Sequence, residues 1–115
     1  MKDGKLDEDK VKQTVTTAIR MLDNVININY YSVETSENSN MKHRPIGLGL
    51  MGFQDTLYMQ NISYNSQEAV DFADRSMELI SYYAINASSD LAKERGTYKT
   101  YEGSLWSQGI FPKDS

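Results

Sequence analysis

Three glycines form the one pattern in this sequence that is typical of phosphate binding. Gly47, Gly49 and Gly52 satisfy G-x-G-x-x-G, the spacing that lets a pyrophosphate approach the backbone at the start of a helix. That motif normally follows a buried strand, with an acidic residue ending the next strand about 20 residues later. Here the candidate strand overlaps the motif, and Glu68 and Asp71 lie in a long helical pattern. We therefore expect the glycines to allow close packing at a strand-to-helix turn.

The charged side chains offer no second site. His43 and Arg44 could hold an anion, but an isolated pair of this kind is more typical of a surface ion pair. The two acidic clusters are typical of a helix start and of a solvated helix face. Their members are Asp7, Glu8 and Asp9 in the first, and Glu68, Asp71, Asp74 and Glu78 in the second.

Cysteine and histidine usage limits the chemistry further. The chain has no cysteine and one histidine, which excludes thiol chemistry, thiolate metal sites and a histidine-based zinc site. No Glu-x-x-His occurs, so a di-iron helix-bundle site is excluded too. Tyr82 and Tyr83 could relay a radical or stack on bases, but we expect them to pack as core aromatics. The sequence thus predicts no catalytic, cofactor-binding or metal-ligating residue.

The composition indicates an acidic chain of at most one domain. Its 115 residues carry a net charge of −4, which argues against nucleic-acid binding and against an anionic membrane surface. No apolar run approaches the roughly 20 residues that span a bilayer, and the charged N-terminus does not resemble a signal peptide. We expect a soluble, cytoplasmic protein.

The periodicity of apolar residues predicts a mainly α fold with three helices and one short Gly-rich strand. Asp7 is the expected N-cap of the first helix, and residues 32–40 are expected to form an exposed loop. Asn61 is expected to close the short helix before it in left-handed geometry. In chain order the predicted elements are a helix over 7–28, a strand over 45–50, a helix over 51–60, a helix over 66–95 and an irregular packed tail over 97–115.

The last helix is long enough to be informative. Its apolar stripe steps by three and four residues through Val70, Ala73, Met77, Ile80, Ala84, Ala87 and Leu91. Asn65 with Glu68 predicts a capping box at its start, and Gly96 predicts its end. Such a helix is roughly 45 Å long, whereas a compact domain of this size has a radius of gyration near 13 Å. We expect it to need a partner beyond the first helix.

Four stretches together carry a family signature. They are R-M-L-D-N-V-I at 20–26, H-R-P-I-G-L-G-L-M-G-F-Q-D at 43–55, A-S-S-D-L-A-K-E-R-G-T-Y-K-T-Y-E-G-S at 87–104 and W-S-Q-G-I at 106–110. At this spacing they resemble the large, catalytic α subunit of class I ribonucleotide reductases, so the chain is identified as an internal fragment of the reductase α/β barrel.

The resemblance implies ribonucleoside-diphosphate reduction for DNA synthesis by the complete subunit. It also implies a radical cofactor in a small β subunit and ATP or dNTP effectors bound elsewhere. The family's catalytic cysteines, active-site Asn and Glu, radical-relay tyrosines and nucleotide sites match no position in these 115 residues. We therefore expect a structural scaffold that has no cofactor of its own and is inactive alone.

Two sets of partners follow from these predictions. As a reductase segment, the chain binds the rest of the α subunit and, through it, the β subunit. Uncovered apolar faces and an unpaired strand would also favour self-association. The alternative is an independent helical interaction module whose stripe from Val70 to Leu91 binds a partner helix.

Overall fold

The computed structural model describes residues 1 and 4–114, which fold into a mainly helical structure. This confirms the predicted fold class. The α-helices are α1 (Glu8–Ile28), α2 (Glu34–His43), α3 (Phe53–Met59) and α4 (Gln67–Arg95). Two short 3₁₀ helices, Trp106–Gln108 and Pro112–Asp114, lie in the tail.

Helix α1 begins where its charges favour a helix N-terminus. The Asp7 carboxylate accepts a hydrogen bond from the Lys10 backbone N–H at 3.1 Å, which satisfies a donor that the first turn leaves open. The buried side of α1 is formed by Val15, Ile19 and Ile26. This face packs on α4, and it is the main contact between helices.

Helix α2 corrects the prediction of an exposed loop over residues 32–40. These residues are exposed as expected, but the chain from Glu34 to His43 is helical and buries none of its residues. Acidic residues in the first turn and basic residues in the last suit the helix dipole. The helix ends at Arg44, which leaves the right-handed region for a left-handed conformation with φ 47°. Pro45, which follows, disfavours continuation of the helix.

The predicted strand over 45–50 is wrong for the chain as described. Residues 45–50 have no regular secondary structure, and no β-strand occurs within 4–114. The apolar side chains Ile46, Leu48 and Leu50 remain 39%, 38% and 42% exposed. A strand is defined by pairing with a neighbour, and the described backbone hydrogen bonds include none from residues 45–50 to another segment.

Helix α3 starts two residues later than predicted, after Gly52 in a left-handed conformation with φ 79°. Its buried residue is Leu57, which is 0% exposed and packs with Ala69 and Phe72 of α4. Beyond its end, Asn61 adopts the predicted left-handed geometry, with φ 56°.

Helix α4 covers 29 residues, and its two halves pack on different helices. Its N-cap is Ser66, whose hydroxyl accepts from the Ala69 N–H at 3.2 Å, so the predicted cap at Asn65 is one residue early. The C-terminal half packs on α1 through Ala87 and Leu91. The N-terminal half packs on α3 through the face that carries Phe72.

This division explains why the predicted stripe is only partly buried. Val70 and Met77 belong to the periodic pattern but are 59% and 45% exposed. The radius of gyration is 17.1 Å, against about 13 Å for a compact domain of similar size. The described chain is therefore more extended than a compact domain, as the length of the last helix predicted.

Candidate functional site

The strongest polar arrangement joins three parts of the chain at one carboxylate. Asp23 of α1 accepts from Arg44 Nε at 3.0 Å and from Arg44 Nη2 at 2.7 Å through its Oδ1. Its Oδ2 accepts from Nη1 of Arg95, in the last turn of α4, at 2.6 Å. We call these three residues the Asp23 cluster. It ties the middle of the chain to both long helices.

Most of the remaining donors of Arg44 are also engaged. Nη1 donates to the Asn27 side-chain oxygen at 2.8 Å, and Nη2 donates in addition to the Asp23 carbonyl at 2.8 Å. Arg95 Nη1 makes a second bond, to the Asn24 side-chain oxygen at 2.7 Å. A guanidinium that is satisfied in this way is not free to hold a ligand anion. The structure therefore assigns Arg44 to an ion pair, as its sequence context predicted.

The charges of the cluster reinforce one another. Partial burial alone would raise the pKa of Asp23, but the hydrogen bonds and the positive charges of Arg44 and Arg95 outweigh it and hold that pKa below its ordinary value. The side chains of Asp23 and Arg44 are 19% and 23% exposed, so solvent screens this pair less than a surface pair. The cluster therefore joins α1, Arg44 and the end of α4 through side chains in their charged forms.

Asp23 was absent from the predicted site residues, although the sequence contains a signal for it. It lies on the inward side of α1, four residues after buried Ile19 and three before buried Ile26. A charge on the buried side of a helix requires a partner. The partners could not be read from the sequence, since Arg44 is 21 positions and Arg95 is 72 positions away.

A cleft of about 580 Å³ opens beside the Asp23 cluster, between the ends of α2 and α4 and the tail. His43 lies at its edge, where its Nδ1 is 2.9 Å from the Thr100 hydroxyl. That hydroxyl also donates to the Lys42 carbonyl at 3.4 Å. The contact joins α2 to the tail, so the histidine has a structural partner in the Thr100 hydroxyl.

The glycine motif does not form a phosphate loop. Gly52 is the N-cap of α3. This helix has only seven residues, so few peptide dipoles add up at the N-terminus where a phosphate would bind. Glu68 and Asp71, which would have to approach a ribose, lie in the first turns of α4. No described part of the chain forms the strand that such a motif follows.

The glycines also fail to pack closely within this chain. A Cβ built at Gly47 or Gly49 would have no heavy atom within 4 Å outside its immediate chain neighbours. The prediction that these glycines allow close packing is therefore not met by any described contact.

The acidic and aromatic candidates have structural partners. Tyr83 donates its hydroxyl proton to Glu8 Oε1 at 2.8 Å, and this bond raises the tyrosine pKa. Tyr82 lies edge-on to Tyr83 with the ring centroids 5.3 Å apart, but its side chain is 63% exposed. The predicted core packing is therefore wrong for Tyr82. In the second acidic cluster, Asp71 accepts from Gln67 at 2.9 Å on an exposed helix face. These groups hold helices together or face solvent.

Within residues 4–114 and Met1, no group of three or more His, Asp or Glu side chains is placed to hold a metal ion. None of the described helices is long and apolar enough to cross a membrane.

Comparison with known proteins decides the family. The family model described as "Ribonucleotide reductase, barrel domain" matches residues 1–115. The chain belongs to this family. Within it, the chain is 60% identical over 113 residues to the ribonucleoside-diphosphate reductase subunit alpha of Chlamydia muridarum, covering 98% of this chain and 11% of the relative.

More distant relatives also match nearly the whole of this chain. The subunit alpha of Helicobacter pylori is 45% identical over 107 residues, which cover 93% of this chain and 14% of the relative. The large subunit of vaccinia virus is 42% identical over 112 residues, which cover 97% of this chain and 14% of the relative. The chain therefore corresponds to a small segment of the reductase α subunit, as the resemblance implied.

Proposed function

We propose that the complete subunit containing this segment reduces ribonucleoside diphosphates to deoxyribonucleotides, and that the segment itself is scaffold. One observation supports the first part. The match to the reductase barrel family extends over all 115 residues, and relatives from bacteria and a virus carry the same reductase name. The segment accounts for 11–14% of the length of these relatives, so the chemistry is a property of the larger protein.

The scaffold role is supported by how the polar groups are used. Asp23, Arg44 and Arg95 bind one another, and His43 binds Thr100. Each of these contacts joins two elements of the chain. With no cysteine in the sequence, the segment cannot supply thiols for a reduction. We infer that its residues position the barrel and do not touch the reacting atoms.

The same proposal places cofactors and partners outside the segment. The complete α subunit would receive its radical from a small β subunit and bind ATP or dNTP effectors elsewhere. The segment's direct partner is the remainder of its own subunit. The half-exposed apolar side chains Ile46, Leu48 and Leu50 fit this role, because they lie along a segment with no strand neighbour in the described chain.

The alternative, an independent helical interaction module, is favoured by one observation. Val70 and Met77 on α4 are largely exposed and belong to one apolar pattern. Light scattering after size-exclusion chromatography separates the two proposals in part. A monomer at all concentrations would argue that the isolated chain has no binding surface to cover, whereas concentration-dependent association is expected under both proposals.

The direct test is activity of the complete subunit. Purified with its β subunit and a dithiol reductant, it should convert ribonucleoside diphosphates to deoxyribonucleoside diphosphates. The isolated 115-residue chain under the same conditions should form no product. Failure of the complete pair to reduce any ribonucleotide would contradict the proposed activity.

A further inference from the structure

Arg44 has a backbone conformation that its residue type disfavours. Its φ and ψ are 47° and 51°, in the left-handed region. Within the described part of the chain, the other non-glycine residue with a positive φ is Asn61, and asparagine visits this region more readily than arginine. For a residue with a Cβ, the cost of this conformation corresponds to roughly a 5- to 30-fold preference against it. An interaction must therefore offset the cost at Arg44.

The local sequence does not supply that interaction. Pro45 disfavours the right-handed helical conformation at Arg44, which explains why α2 ends there, but a residue before proline prefers extended geometry. The Arg44 N–H donates to the Asn40 carbonyl at 2.8 Å. The position of that N–H is set by the preceding residues, so the bond forms whether Arg44 itself is left-handed or extended. Neither feature selects the left-handed conformation over the extended one.

The side chain of Arg44 supplies an interaction of the required strength. Its guanidinium donates to Asp23 Oδ1 from Nε at 3.0 Å and from Nη2 at 2.7 Å, and to the Asn27 side-chain oxygen at 2.8 Å. Hydrogen bonds between ionised groups are strong, and the two charged side chains are mostly buried. A change of φ from positive to negative redirects the Cα–Cβ bond relative to α2. The ion pair and the left-handed backbone therefore depend on each other.

The conformation of Arg44 also sets the path of the residues that follow. Leu48, Gly49 and Leu50 line a groove of about 280 Å³ together with Val15 of α1 and Ile80 of α4. The described backbone hydrogen bonds include none from residues 45–50 to another segment, so no ladder of such bonds fixes this stretch. The direction in which the chain leaves α2 therefore decides whether these residues reach the groove.

We propose that the ion pair between Asp23 and Arg44 selects the left-handed backbone of Arg44, so that Asp23 in α1 positions residues 45–50 against α1 and α4. Without the pair, Arg44 takes extended geometry and the segment leaves the groove. Asp23 is thus a positioning residue that acts through Arg44. This role is separate from the reductase assignment, because all the groups that it requires lie within these 115 residues.

The experiment determines the backbone conformation of residue 44 by NMR of the isotope-labelled 115-residue chain, in which coupling constants and carbon chemical shifts report the sign of φ. Asp23→Asn and Arg44→Ala each remove the ion pair, and Arg44→Ala retains the carboxylate that Arg95 binds. Arg20→Gln is the matched control. It breaks another ion pair between α1 and α4, that of Arg20 with Glu94 at 2.6 Å, and leaves Arg44 unchanged.

In the parent and in Arg20→Gln, residue 44 should have a positive φ. In Asp23→Asn and in Arg44→Ala, the left-handed population at residue 44 should fall to about a fifth or less. The methyl resonances of Leu48, Leu50 and Val15 should shift at the same time, because the groove loses one wall. A φ that stays positive in either variant would overturn the proposal.

Arg44→Gly separates the loss of the backbone conformation from the loss of the side chain. Glycine adopts a positive φ without the cost that alanine has. Arg44→Gly should therefore keep the methyl resonances of Leu48, Leu50 and Val15 closer to those of the parent than Arg44→Ala does, although both variants lack the guanidinium. Equal changes in the two variants would overturn the proposal. This comparison decides the matter by itself if Asp23→Asn does not fold.

Discussion

The carboxylate of Asp23 lies 2.7 Å from Nη2 of Arg44, although the two residues are 21 positions apart in the chain. This contact fixes the point where α2 ends against the C-terminal part of α1. Arg95 completes the arrangement from the end of α4 at 2.6 Å. The ion pair between Asp23 and Arg44 therefore holds the chain in place just before Gly47 and Gly49. Helices α1 and α4 are held together by hydrophobic contacts.

Removing the charge at Asp23 should destabilise the isolated chain. Asp23→Asn keeps the size of the side chain but removes the carboxylate that the guanidinium groups of Arg44 and Arg95 share. We expect a loss of about 1.5–3 kcal/mol in the free energy of unfolding, typical of hydrogen bonds to charged groups. Urea titration followed by circular dichroism measures it.

The matched control for this change is Asp90→Asn. Asp90 pairs with Lys93 on the surface, with side chains 62% and 76% exposed, and such a pair is worth about 0.5 kcal/mol or less. Equal losses in the free energy of unfolding for Asp23→Asn and Asp90→Asn would show that the Asp23 cluster stabilises the chain no more than a surface ion pair does.

The same carboxylate makes stability depend on pH. Because the pKa of Asp23 in the folded chain lies below its ordinary value of 3.8, its contribution is fully present above that pH. The contribution is lost as pH falls through the lowered pKa, when the folded carboxylate takes up a proton. Urea midpoints measured from pH 6 to pH 2.5 should therefore fall more steeply for the parent than for Asp23→Asn. Parallel curves would contradict the assigned role.

Leu57 should be the most costly position in the contact between α3 and α4. It is 0% exposed and packs against Ala69 and Phe72. Leu57→Ala should cost about 3 kcal/mol, since it removes buried methyl groups and leaves a cavity. Tyr58→Ala, at a neighbouring position that is 69% exposed, should cost under about 0.5 kcal/mol. Thermal unfolding of both variants tests this, and a comparable Tm for the two would show that α3 does not pack stably on α4.

The glycines of the motif should differ in their tolerance of alanine. Gly52 has φ 79° at the start of α3, so Gly52→Ala should destabilise the isolated chain by about 1 kcal/mol. Gly47→Ala should be neutral or stabilise it by a few tenths of a kcal/mol, because alanine reduces the entropy of the unfolded chain. Urea unfolding of both variants measures the difference. The reverse order would mean that the backbone around Gly52 is not left-handed in solution.

The sequence predicted the parts of this fold that depend on local rules. The N-cap at Asp7, the left-handed Asn61 and the end of α4 at Gly96 follow from short-range chemistry, and each occurs. Helix α2 was missed because its sequence has no apolar face, which is the signal on which helix prediction depends.

The remaining differences arise from tertiary contacts. Val70 and Met77 fit a single periodic stripe, but α4 turns different faces to α1 and α3. The strand over 45–50 was predicted from alternation, and alternation does not supply the neighbour that a strand needs. The Asp23 cluster combines residues from distant positions, so only the presence of Asp23 on a buried helix face could have indicated it.

The central claim is that this segment supports the reductase without taking part in its chemistry. The most direct test is His43→Gln in the complete α subunit, because His43 is the one histidine of the chain and lines the cleft of about 580 Å³. The rate of ribonucleoside-diphosphate reduction per folded subunit should stay within about threefold of the parent, with KM similarly unchanged. A fall in kcat of about 100-fold or more at unchanged Tm, the size typical of losing an acid or base catalyst, would contradict the claim.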